Sequence, residues 1–284
     1  MQKIPSKGFT HAGRFHADEV FSTALLKILN PDFMVQRGFR VSHNFDGIVY
    51  DIGFGKFDHH QQDARVRENG VPYAAFGLLW EAFGELVLKN YCPDEYIEIE
   101  KKRFDDKFIK YIDKDDNTGC GNMVSDVISG FNPAWDTKND ENTCFNNAVD
   151  FATTILKNRF KSIKSMYSAK IVAEDALSKM QDGIVVLSVY APWKMVLVPS
   201  EAYFVVYPSQ RGGFSAQCVP NNDKINSLKV PFPKSWAGLE EVNLREVSQI
   251  STIKFCHNNC FIITATTKED AILACYKAME NKEE

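Results

Sequence analysis

Five of the six histidines in this chain of 284 residues, His11, His16, His43, His59 and His60, fall within the first 60 positions, where Asp18, Asp51 and Asp58 also lie. Imidazole nitrogen and carboxylate oxygen together are ligands that divalent transition ions accept. A mixed set of six or seven such groups is too large for one tetrahedral zinc and suits two divalent ions sharing a bridging carboxylate. Two such ions roughly 4 Å apart lower the pKa of a shared water, aim the hydroxide at phosphorus and neutralise charge growing on the phosphate oxygens. No protein nucleophile is then required. Taken singly, an aspartate after a strand is more often a cap or turn residue, and paired histidines more often a solvated loop. Convergence is what gives the set its meaning, because so much clustered negative charge needs a cation to compensate it.

Convergence requires elements that deliver these groups to one place. The pattern predicts a strand near Gly8 to His11, then a helix with Val20, Phe21, Ala24, Leu25, Ile28 and Leu29 on one face. His11, His16 and Asp18 occupy the turn between them, in THAGRFHADE. Further strands are expected at Phe33 to Val35 and at Ile48 to Tyr50, the latter running into Asp51, with FDHHQ close behind. Strands alternating with helices imply a parallel sheet, and in such sheets the strand ends share one edge where ligands bind. A helix opened by proline is predicted from Pro72 to Asn90, and another through Phe104, Phe108, Ile109 and Ile112 into IDKDDNTG, which places carboxylates against the helix dipole. One or two long amphipathic helices follow from Phe145 to about Met180.

Beyond Gly183 the period changes to that of strands: Ile184 to Val189, Met195 to Val198, Tyr203 to Tyr207 and Phe214 to Val219. A hairpin from Thr252 to Thr264 turns through His257, Asn258 and Asn259, and a final helix is capped by Thr267. The expected architecture is α/β: an N-terminal parallel-sheet domain with flanking helices and a long helical connector (1–182), then a smaller C-terminal α+β domain (183–284). The C-terminal part offers candidate grips for a phosphodiester. These are Lys194, Arg211 with Gly212 and Gly213, and His257 at the exposed hairpin tip, with Trp193 or Trp236 to stack on a base; Trp236, followed by Gly238 and Leu239, reads equally as packed, and Lys194 as a solvated strand-end charge. A basic run at 157–170 reads either as a stripe for a nucleic-acid backbone or as a solvated helix face.

Composition narrows the classes. With 44% hydrophobic and 25% charged residues the chain is an ordinary globular one, and no apolar run approaches the roughly 20 residues of a membrane span. A net charge of −4 argues against a surface that grips duplex nucleic acid as a whole. Seven scattered cysteines and no signal peptide read as reduced thiols in a cytoplasmic protein. Cys256, His257 and Cys260 lack the second pair that a zinc site needs.

His11 to Glu19, Asp51 to Gly53 and the triplet Asp58, His59, His60 resemble the first three motifs of the DHH phosphoesterase superfamily. The likeness is closest to the melanocyte proliferating gene family, a branch of metal-dependent exonucleases acting on RNA. It extends through PYAAFGLLWEAFG at 72–84, IDKDDN, APWK at 191–194, FPKSWAGL at 232–239 and FCHNNCFI at 255–262, nearly the whole chain. Most of the superfamily has aspartate where His16 stands, whereas this branch shares the histidine. The resemblance implies an N-terminal DHH domain in which His11, His16 and Asp51 hold one ion and Asp18, Asp51, His59 and Asp116 the other, with Asp51 bridging. Asp116 is preferred over Asp113 because Asn117 follows it, as in the branch's pattern. Asp58 would orient a ligand histidine or a water, and His60 would contact the phosphate or leaving oxygen; Asp58, His60 and His257 are thus the expected catalytic residues. The ions are expected to be Mn2+, with Zn2+, Fe2+ or Co2+ satisfying the same ligands.

The function expected is removal of nucleotides from the end of single-stranded RNA or a short oligonucleotide by two-metal hydrolysis. Hydrolysis of small phosphates (dinucleotides, nucleoside phosphates or pyrophosphate) is the first alternative, and a metal-stabilised RNA-binding protein without turnover the second. No membrane partner is expected, and self-association into a homo-oligomer is left open.

Overall fold

The computed structural model describes residues 4–138, 140–221 and 227–280. It divides into two compact units, Met1–Lys164 and Ser165–Glu284. The division falls inside one long helix, ahead of the boundary expected at 182/183.

In the first unit, β1 (Lys7–His11) lies between β2 (Met34–Gly38) and β3 (Ile48–Val49) in a parallel sheet of order β2-β1-β3. Gly8 pairs with Val35 on one side and Ile48 on the other. The chain leaves β1 through α1 (Ala17–Leu29) to β2 on one flank, then returns to the other flank as β3. The order therefore reverses at the carboxyl end of β1, the position where open parallel sheets form a crevice. Asp18 and Glu19 occupy the first turn of α1, where acid suits the helix dipole, and everything from Ala17 to Leu26 is buried.

Around α1 pack α2 (Ala75–Leu88), α4 (Lys110–Thr118) and α5 (Met123–Ser129). Phe21 stacks on Phe76 at 5.4 Å and meets the Phe108 ring edge-on at the same distance. The Thr23 and Tyr50 hydroxyls hydrogen-bond at 2.6 Å, tying α1 to the end of β3. Between α3 (Ile97–Phe104) and α4 the chain makes a π-helical turn at Asp105–Ile109. The helix expected to open with Pro72 instead begins at Ala75. Pro72 forms an isolated bridge with Val66, and its carbonyl accepts a hydrogen bond from Arg67 Nη1, so the residue is spent in the preceding loop. The long stretch after residue 140 is a single helix, α6 (Glu141–Leu177), burying Phe145, Val149, Leu156 and Phe160 in the first unit.

The second unit is a five-stranded mixed sheet of order β4-β5-β6-β8-β7: β4 (Ile184–Val186), β5 (Phe204–Pro208), β6 (Phe214–Cys218), β7 (Ile253–Cys256) and β8 (Ile262–Ala265). Only the β4–β5 pair is parallel. Alternation along β5 supplies both faces. Phe204 and Val206 pack with Leu244 of α8 (Glu241–Ser248) and with Ala271, Ala274 and Cys275 of α9 (Lys268–Glu280). Val205 and Tyr207 pack with Ala173 and Ala176 of α6 and with Trp193 and Leu197.

Met195 to Val198, expected as a strand, is helical: α7 (Lys194–Leu197) is one short turn with Val196 and Leu197 buried. A four-residue apolar run has no resolvable period, and the tertiary demand to bury two adjacent side chains decides it. Trp193 and Trp236 are each 3% exposed and belong to these cores, so neither is a stacking platform for a base. No helix among the described residues is long and apolar enough to cross a membrane.

Candidate metal centre

β1 ends at His11 and β3 runs through Tyr50 into Asp51, so adjacent parallel strands deliver an imidazole and a carboxylate to the same sheet edge. Asp51 adopts a left-handed conformation, φ 56°. The turn sends its two oxygens to different partners. Oδ2 lies 3.2 Å from His11 Nε2, and Oδ1 lies 3.1 Å from His59 Nε2. From α4, Asp116 brings Oδ2 to 3.2 Å from the same His59 nitrogen, while Asp18 Oδ2 stands 3.9 Å from it. His16, at the head of α1, completes groups whose ligand atoms lie within 4.8 Å of one another: His11 with His16 and Glu19, and His16 with Asp18 and Asp116. All six residues expected as ligands are thus close together. His43 stands apart, in an exposed loop.

These residues, except Asp18, line a cleft of about 730 Å3 together with Asp58, His60, Phe54, Asn117 and Ser129. Burial is deep on one side: Asp18 and Glu19 are fully buried and Asp51 is 4% exposed. Neither Asp18 oxygen has a hydrogen-bond partner among the described residues. Burial pushes the Asp18 carboxyl well above its usual range, and the neighbouring Asp51, Asp116 and Glu19 charges push the same way. Burial likewise raises Asp116, with Asp51 adding to it. Asp51 itself is held low: the hydrogen bonds from His11 and His59 outweigh its burial. For His59, burial works downward but is overcome by Asp51 and Asp116, which lift it to about 9. His11 is lifted to about 11 in the same way by Asp51 and Glu19. An orphaned carboxylate among like charges, faced by imidazoles, is a donor set that a divalent cation fits.

Glu19 carries more of the site than the sequence reading gave it. Both of its oxygens accept from the His16 backbone N–H, at 2.9 and 3.0 Å, and Oε1 lies 3.0 Å from His11 Nε2. The available signal was its place three residues after His16, from which a carboxylate reaches back to the head of α1. Asn117 is a second such residue: its Oδ1 lies 3.3 Å from His59 Nδ1, and its amide donates to the Asp113 and Tyr73 carbonyls.

Asp58 faces His60. Its Oδ1 lies 2.7 Å from His60 Nδ1 and accepts from the His60 amide, while Oδ2 accepts from Phe54 N–H at 2.6 Å. These contacts outweigh its burial and hold the carboxyl below its usual range. Asp113 belongs to another network. It is fully buried and accepts from Arg67 Nη2 at 2.7 Å and from Gly77 N–H at 3.2 Å, while Arg67 also grips Asp105. A Cβ on Gly77 would fall 2.0 Å from Asp113 Oδ2, so glycine is what permits this approach.

Lys194, Arg211, Gly212, Gly213 and His257 all lie in the second unit. Lys194 is exposed at the start of α7, and His257 sits on the β7–β8 turn with its ring 4.5 Å from that of Phe261. Arg211 is exposed in the turn between β5 and β6, where Gly212 (φ 87°) and Gly213 (φ 70°) supply left-handed conformations. In the basic run, Arg159 lies over the Phe108 ring at 4.0 Å rather than on an open face.

Fold and site together define a mixed α/β protein whose parallel strands carry histidines and carboxylates able to hold metal ions. Residues 8–279 match the model of the MYG1_exonuc family, described as Uncharacterised protein family (UPF0160), and the chain belongs to that family. It is 24% identical to a MYG1 protein of Dictyostelium discoideum, with 95% of each chain covered. It is 26% identical to proteins named MYG1 exonuclease of Homo sapiens and Mus musculus, over 94% of this chain and 84% and 83% of theirs. No solved structure matches the chain.

Proposed function

We propose that the protein is a metal-dependent phosphodiesterase of the DHH type, an exonuclease that releases nucleotides from single-stranded RNA with two divalent ions, Mn2+ favoured. The observation that carries this reading is Asp51, which turns one oxygen to His11 and the other to His59, beside the orphaned, buried carboxylate of Asp18. The exonuclease names of relatives covered over most of their length support the same reading.

His11, His16 and Asp51 would hold one ion, and Asp18, Asp51, His59 and Asp116 the other, with Glu19 fixing His11 and the head of α1. When bound, the ions supply Lewis-acid chemistry, lowering the pKa of water and neutralising phosphate charge. Asp58 holds the His60 ring by Nδ1, which leaves Nε2 to contact the phosphate or the leaving oxygen. His257, Lys194, Arg211, Gly212 and Gly213 are assigned to gripping the strand.

The test is incubation with Mn2+ and an end-labelled oligoribonucleotide. A ladder of shortened products is expected, lost in Asp51→Asn and His59→Ala. Intact substrate at high enzyme and Mn2+ sinks the reading, and RNA affinity with bound metal but no turnover identifies a binding protein instead. A second reading, hydrolysis of dinucleotides or other small phosphates, is favoured by the cleft of about 730 Å3, the size of a small-ligand site, and by the charge of −4. Competition separates the two: dinucleotides turning over much faster than long strands would select the second.

A further inference from the structure

The loop between Asp51 and His59 contains two phenylalanines with opposite fates. Phe57 turns inward, 9% exposed, its ring 5.6 Å from that of Phe83. Phe54 turns outward, 74% exposed, on the wall of the metal cleft. Its backbone is left-handed, φ 55°, a conformation in which a bulky side chain is a genuine outlier. The turn does not need the ring. What it needs is the Phe54 N–H, which donates to Asp58 Oδ2 at 2.6 Å, and glycine in the same place would make that bond without strain. An exposed ring held in a strained conformation at a site of proposed chemistry points to a role for the side chain itself.

An aromatic ring on a cleft wall offers a π-face to a planar partner. The cleft itself is lined by histidines and carboxylates suited to a metal-bound phosphate, so the partner must carry phosphate and a flat ring together. We propose that Phe54 is the platform on which a nucleobase of the substrate stacks while its phosphate occupies the metal centre. This rests on the phosphodiesterase reading above and assigns its base contact to a residue of the first unit. Asp58 then positions both ends of the substrate contact: Oδ2 fixes the platform through the Phe54 amide, and Oδ1 fixes His60. The stacking is tolerant of base identity, because every base has a π-face.

The experiment uses full-length protein loaded with Mn2+ and titrated with the 5′- and 3′-monophosphates of 2-aminopurine riboside, whose fluorescence is quenched by stacking. Ribose 5-phosphate, which lacks a base, serves as a displacing ligand. Phe54→Ala is expected to remove the quench and weaken nucleotide binding about tenfold while leaving ribose 5-phosphate affinity unchanged. Phe54→Trp is expected to restore both quench and affinity. Phe54→Gly, which relieves the backbone, should raise the melting temperature and still lose the quench.

Quenching that persists in Phe54→Ala overturns the proposal. So does an equal loss of affinity for nucleotide and ribose phosphate, which would mark Phe54 as merely structural. If the wild-type protein shortens an oligonucleotide yet either of these results is found, this inference alone fails. A wild-type protein that neither binds these nucleotides nor cleaves RNA overturns both readings.

Discussion

At the level of single residues, the clearest conflict in the molecule is that of Asp18, a buried carboxylate with no hydrogen-bond partner among the described residues and with three acidic neighbours. Such a group weakens the metal-free fold. Asp18→Asn should therefore stabilise the metal-free protein by on the order of 1 kcal/mol, while Mn2+ raises its melting temperature less than it raises that of the wild type. Chelator-treated samples followed by thermal denaturation decide this; a metal-free Asp18→Asn protein less stable than wild type would contradict it. The histidines set the pH dependence. Their pKa values in the metal-free fold, about 9 for His59 and about 11 for His11, exceed the ordinary 6.5. Their contribution to metal-free stability is thus complete below pH 6.5 and is lost as pH rises through the folded values. Because ligation needs neutral imidazole, Mn2+ binding at pH 7 should expel protons, and its affinity should rise with pH. Calorimetry in buffers of different ionisation enthalpy counts those protons.

At the level of elements, Arg67 joins the loop before α2 to the π-helical turn and to α4. Its guanidinium meets Asp105 and Asp113 and lies 3.9 Å from the Tyr73 ring centroid. Arg67→Ala would strand a fully buried carboxylate, a change that costs about 3 kcal/mol and lowers the melting temperature by roughly 6–12 °C in a unit of this size. Burial already pushes Asp113 up to about 7 in spite of Arg67. An acid whose folded pKa exceeds its unfolded value weakens the fold as pH rises between the two. The Arg67→Ala deficit should therefore be larger at pH 8 than at pH 5, where Asp113 is protonated. Melting curves at the two pH values measure it, and an equal deficit at both would rule out an uncompensated Asp113 charge as its cause.

At the level of the whole molecule, the cysteines report on burial in both units. Cys92, Cys218, Cys256, Cys260 and Cys275 are buried, whereas Cys120 is exposed and Cys144 half-buried. Burial pushes the Cys256 thiol up to about 12, and Cys275 well above its usual value. Since the thiolate is the reacting form, alkylation of the native protein at pH 8 should modify Cys120 first, and the second unit's four cysteines only on denaturation. Mass mapping of the labelled peptides checks this; early labelling of Cys218 or Cys275 would mean that the second unit opens readily.

Residue type and order were enough to single out His11, His16, Asp18, Asp51 and His59, because an excess of ligating side chains in 60 positions is visible without coordinates. Helix α1 and the helical stretch of α6 were equally legible, since their apolar periods run over many residues, although whether α6 is one helix or two was left open. Shorter signals were not. The four residues of α7 carry no period, and whether Trp193 or Trp236 stacks on a base or packs is open until the sheet that buries them is present. Asp116 was preferred over Asp113 on the Asn117 that follows it, but the physical difference between these identical side chains lies in packing: Arg67 and Gly77 hold Asp113, while Asp116 faces His59. Glu19 and Phe54 emerged from the fold for the same reason. A sequence states which groups are available, but burial, backbone strain and the direction of a side chain depend on neighbours that the chain brings together only when it folds.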